Sequence, residues 1–149
     1  MKRFAIILLS LLSLAFIVET PEMRRERARD DRVWHKAMAK SFDLPALRLF
    51  LLEHISKNPV CDGVDLKRSS VAKKWKRVGR SLSCGDWYLV SDSPDDRICE
   101  LLWTYEEVRL PDRTLIHRVV EVSVLRDGRS GYTVVKTERR DDEMVELLP

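Results

Sequence analysis

From Trp87 onward the chain alternates apolar and polar residues with a period of two, and the gaps between the alternating segments are short. Segments 87–91, 97–110, 114–126 and 132–139 read as strands, joined by turns at 92–96, 111–113 and 127–131. A parallel pairing needs a connection of about a dozen residues or more, so each strand has to fold back on the one before it. The predicted sheet is therefore a four-stranded antiparallel meander. Cys99, Leu101, Trp103 and Tyr105 share one face of its second strand, and Ile98, Glu100, Leu102 and Thr104 share the other.

The other end of the chain carries a different signal. Lys2 and Arg3 precede a run over residues 4–18 that is apolar except for Ser10 and Ser13. That run is shorter than the roughly 20 apolar residues a relaxed membrane span needs, and it fits the basic and apolar regions of an export signal. Residues 1–20 are accordingly expected to be a signal peptide or a short membrane anchor. Arg24, Arg25, Arg27, Arg29 and Arg32 follow it, so the orientation of an uncleaved anchor stays open in the sequence. The expected location is secreted or extracytoplasmic, with membrane contact through residues 4–18.

Residues 21–32 have almost no apolar stripe and read as a charged, solvated spacer, leaving 33–149 for one domain. Val33, Trp34, Ala37 and Met38 recur at helical spacing. Asp43 followed by Pro45 then marks a restart, and the apolar residues from Leu44 to Ile55 surround most of a second helix, ended by Asn58-Pro59. Helices followed by short-linked strands give an α+β fold, with the N-terminal helices packed on the meander and the apolar leader in front. Leu47 and Trp103 belong at that helix–sheet interface. The order of elements resembles the cystatin-like class of architectures, and no motif carries a family assignment.

Three cysteines, Cys61, Cys84 and Cys99, match no zinc-ligand spacing, so no metal is expected. Cys61 and Cys84 fall in turn-like stretches and Cys99 inside a strand pattern, so an exported chain is expected to pair Cys61 with Cys84. The alternative is three reduced thiols in a cytoplasmic domain.

Catalytic signatures are missing from the sequence. His35, His54 and His117 lie on three different predicted elements, and no nucleophile elbow, zinc-protease helix, phosphate loop or dinucleotide fingerprint is present. No cofactor and no catalytic residue is assigned. A hydrolase invisible to motifs would be favoured by a pocket gathering His117, Cys99 and a carboxylate.

One stretch has a single sign of charge. Between Asp65 and Asp86 there is no acidic residue, whereas Lys67, Arg68, Lys73, Lys74, Lys76, Arg77 and Arg80 all fall there. Val71, Trp75 and Val78 repeat at helical spacing and Gly79 stands at a helix stop, which predicts a short basic amphipathic helix, a strand through 75–78 being the competing reading. Together with Trp75 these cations form the candidate site for an anionic surface. The net charge of +3 makes such clustering, rather than the total, the source of any attraction. The expected function is a non-enzymatic binding or accessory domain, exported or envelope-associated, whose partner is a protein or an anionic envelope surface. Nucleic acid is disfavoured. The alternatives are a membrane-tethered structural subunit and the concealed hydrolase.

Overall fold

The structure, a computed structural model, describes residues 19–145; the leader at residues 4–18 lies outside them. The chain divides into two units, residues 1–30 and 31–149. The described part of the first is the start of helix α1 (Pro21–Ser41). Thr20 Oγ1 accepts from the Met23 N–H at 3.2 Å, and Pro21 sits where a helix needs no donor. Glu19 pairs with Arg24 and Arg27 at 3.7 and 3.0 Å. The charged stretch 22–32 is thus helical, and most of its side chains are exposed.

In the second unit the end of α1 buries His35 and Met38, and α2 (Leu44–Lys57) buries Leu47, Leu51, His54 and Ile55. Asp43 caps α2 by accepting from the Ala46 N–H at 3.1 Å. A two-stranded hairpin follows, β1 (Val60–Cys61) and β2 (Val64–Asp65). Its turn is Asp62-Gly63, with φ of 46° and 81°, the left-handed pair that a tight hairpin requires. A 3₁₀ turn, Leu66–Arg68, comes next.

The main sheet has six antiparallel strands in sequential order: β3 (Lys76–Val78), β4 (Ser81–Cys84), β5 (Trp87–Val90), β6 (Ile98–Arg109), β7 (Thr114–Asp127) and β8 (Gly131–Val145). The four expected strands are its last four, so the four-stranded sheet is corrected to six. Gly79, expected to stop a helix, has φ +54° and instead turns the β3–β4 hairpin. A left-handed glycine serves either role, so its presence alone does not distinguish them. The last strand also runs past Arg139, because the acidic stretch pairs with β7: Asp141 lies opposite Arg118, at 3.9 Å between charged atoms.

One face of the sheet meets the helices. Leu82, Trp87, Leu89, Cys99, Leu101, Trp103, Val120, Val122 and Val124 form a single core with Met38, Phe42, Leu47, Leu51 and Ile55. Trp103 and Leu47 both belong to it, and Trp103 packs against Trp87 with ring centroids 6.0 Å apart. Arg126 ties the corner: its guanidinium donates to the carbonyls of Ser41 and Asp96 at 2.5 and 3.1 Å and lies 4.7 Å from the Phe42 ring centre.

The basic stretch is corrected from a helix to a strap: the 3₁₀ turn, an irregular run, then β3. The strap is tied to the β4–β5 hairpin. Ser70 N–H donates to Asp86 Oδ2 at 2.8 Å, and Asp86 N–H donates to the Ser70 carbonyl at 2.9 Å. The Trp87 indole donates to Ser69 Oγ, and the Ala72 carbonyl accepts from Arg48 Nε and from the Cys84 thiol. Gly85 (φ +68°) lets the two backbones meet: a Cβ there would lie 2.2 Å from the Ser70 carbonyl oxygen. Gly85→Ala should therefore lower stability by more than about 1 kcal/mol, since a strained φ and a backbone clash act together. Urea unfolding of the variant beside the parent checks this; an unchanged midpoint would show that the strap is not held as described.

Candidate functional site

The strap holds its cations outward. Lys67, Arg68, Lys73, Lys74, Lys76, Arg77 and Arg80 are all exposed. Arg80 is engaged, 3.8 Å from Asp31 and over the Trp34 ring at 5.7 Å. The other six have no ion-pair partner among the described residues. Trp75 does not join them on the surface. It packs against the core and donates its indole N–H to the Leu44 carbonyl at 2.6 Å, so its role here is to anchor the strap on α2.

Cys61, Cys84 and Cys99 are free and buried, so the expected Cys61–Cys84 disulfide is corrected to two separate thiols. Neither cysteine lies in an open loop: Cys61 ends β1 in the small hairpin, and Cys84 ends β4 in the main sheet, its thiol turned to Ala72. Burial pushes all three thiols up, Cys99 to about 12. A nucleophilic cysteine needs the opposite shift.

Cys61 and His54 line one cleft of about 530 Å³ with Asn58, Asp62 and Thr137. Burial holds the His54 pKa below the usual imidazole range. Its Nδ1 lies 3.4 Å from the Asn58 amide nitrogen and its Nε2 lies 3.5 Å from Thr137 Oγ1, which suits a neutral ring accepting at one nitrogen and donating at the other. Both shifts run against a thiolate–imidazolium pair in this cleft. His117 and Cys99 are not brought together either: along β6–β7, Cys99 lies opposite Val124 and His117 opposite Glu107.

Val119, Glu121 and Ser123 face away from the core and alternate with Val120, Val122 and Val124. Glu121 is buried there and forms an ion pair with Arg140, accepting also from Ser123 Oγ at 2.8 Å. Burial, with the Glu121 charge second, raises the pKa of Glu100 nearby. The guanidinium also reaches Asp142 at 3.1 Å, so one cation is shared between two carboxylates.

A further cleft, of about 550 Å³, was not foreseen from the sequence. Gly63, Val64 and Asp65 of the small hairpin line it with Arg68, Tyr105, Glu106 and Arg139. Tyr105 stands at a β-bulge, where the β6–β7 register shifts between Thr104 and Glu106. The only local signal was the lapse of alternation at Tyr105-Glu106-Glu107. No group of three or more metal-ligating side chains occurs among the described residues. No protein-family model, curated protein or solved structure matches the chain.

Two measurements test this chemistry. In the native full-length chain the three thiols should resist a thiol reagent, and all three should react after unfolding without reductant. Incomplete reaction of the unfolded chain would reveal a bridge. Unfolded His54 takes up a proton below pH about 6.5 while the folded ring resists it, so stability should fall as pH drops through that value. Urea midpoints at about pH 7.5 and about pH 5.5 should differ less for His54→Gln than for the parent.

Proposed function

We propose that this chain is a non-enzymatic accessory domain of the cell envelope, led or tethered there by residues 1–20, which holds an anionic surface through the strap. The observation that supports the reading is the set of unpaired cations at Lys73, Lys74, Lys76 and Arg77, fixed along one short edge strand and the run before it. Exposed cations that lack local partners keep their full charge for an outside surface, and several on one rigid element act together. Thiols whose pKa burial pushes up favour binding over catalysis.

The test uses the full-length chain with anionic and zwitterionic vesicles. Replacing Lys73, Lys74, Lys76 and Arg77 by Gln should reduce the preference for anionic vesicles by at least about tenfold, and rising salt should do the same to the parent. The contacts that tie the strap down involve Ser69, Ser70, Ala72 and Trp75, so folding should survive. A parent without preference for anionic vesicles, or a quadruple variant that keeps it, would remove the support for this function.

A further inference from the structure

Arg68 and Arg139 come from the strap and from β8, far apart in sequence, yet both line the cleft beside the small hairpin. Neither guanidinium has an ion-pair partner among the described residues. Of the two acidic residues of the cleft, Glu106 pairs with Arg118 at 2.8 Å, while Asp65 keeps its charge and caps the 3₁₀ turn by accepting from the Lys67 N–H at Oδ1, 3.0 Å away. Arg139 is held by its backbone, since its N–H donates to Asp62 Oδ2 at 3.3 Å and leaves the side chain free. Tyr105, partly buried and 6.1 Å from Trp103 between ring centres, supplies a rigid aromatic wall with a hydroxyl at its tip.

From this convergence we infer that the cleft is a binding site for a phosphate dianion, free or as a phosphomonoester. The two guanidiniums each present parallel N–H donors suited to a pair of oxygens, and a phosphomonoester carries three terminal oxygens to receive them. A carboxylate or a phosphodiester has two such oxygens and so fewer acceptors for the two forks. The inference deepens the anionic-surface reading and rests on it only for the setting in which the phosphate is met: a phosphomonoester lipid headgroup and a small soluble phosphate share this chemistry.

The probe is inorganic phosphate, titrated into the full-length chain in neutral detergent at constant ionic strength and followed by amide chemical shifts and thermal unfolding. Saturable binding is expected, weakened at least about tenfold by Arg68→Gln or by Arg139→Gln. Arg139→Lys keeps the charge but loses the paired donors, so it should fall between parent and Gln variant. Absence of saturable binding in the parent, or parent-like binding in either Gln variant, overturns the proposal. A second arm compares vesicles bearing phosphatidic acid with phosphatidylglycerol vesicles of equal surface charge. Tighter binding to the former that depends on Arg68 and Arg139 identifies a lipid source, and equal binding with phosphate affinity retained identifies a soluble one. The quadruple strap variant separates the two readings: it should lose vesicle preference and still bind phosphate. A parent that binds phosphate but ignores anionic vesicles would remove the surface reading and leave the cleft standing.

Discussion

The surface of this domain depends on the reciprocal pair of hydrogen bonds between Ser70 and Asp86. A strongly basic run has no reason of its own to lie in one place; its charges repel, and its backbone would be well solvated as coil. Seating it on the β4–β5 hairpin satisfies its polar groups, buries part of Val71 and Trp75 against the core, and leaves the lysines outside. Gly85 makes that approach sterically feasible. The cationic edge is therefore a product of the Ser70–Asp86 pair together with the contacts of Ser69, Ala72 and Trp75, which give it a fixed position on the domain.

Much of the architecture was readable because two periods were clean. The alternation after Trp87 gave the last four strands and their antiparallel sense, and Asp43 with Pro45 gave the start of α2, where the structure shows the cap. The strap was misread for a physical reason. Val71, Trp75 and Val78 have helical spacing, but Val71 and Trp75 are held on the core by tertiary contacts and Val78 is exposed at an edge. Spacing within a short run cannot report that its hydrogen-bond partners lie on a hairpin further along the chain. Cys61 and Cys84 were misjudged similarly, since turn-like neighbours conceal short strands that bury them. Charge alone picks out all seven strap cations and does not set apart Arg80, which is engaged, whereas the placing of Arg68 and Arg139 along one cleft needs the tertiary structure.

Charge in this domain is organised in two ways. On the face of β7 and β8 away from the core, the buried Glu121 is matched by Arg140, with Asp142 completing the cluster. One guanidinium there serves two carboxylates on the two strands, and the cluster ties β7 to β8. Along the strap, Arg80 aside, and at Arg68 and Arg139 of the hairpin cleft, the cations have no ion-pair partner among the described residues. The contrast matters more than the net charge, because it separates cations that hold the fold from cations available to a partner.

The two borders of the main sheet also differ from its interior. β3 is three residues long and carries Lys76 and Arg77, while on β8 the Asp62 carboxylate occupies the outward N–H of Arg139. An open border is a template on which a foreign strand can add, and short, charged or blocked borders resist this. Short length and charge thus guard the β3 margin against strand addition, and the small hairpin, through Asp62, guards β8 at Arg139.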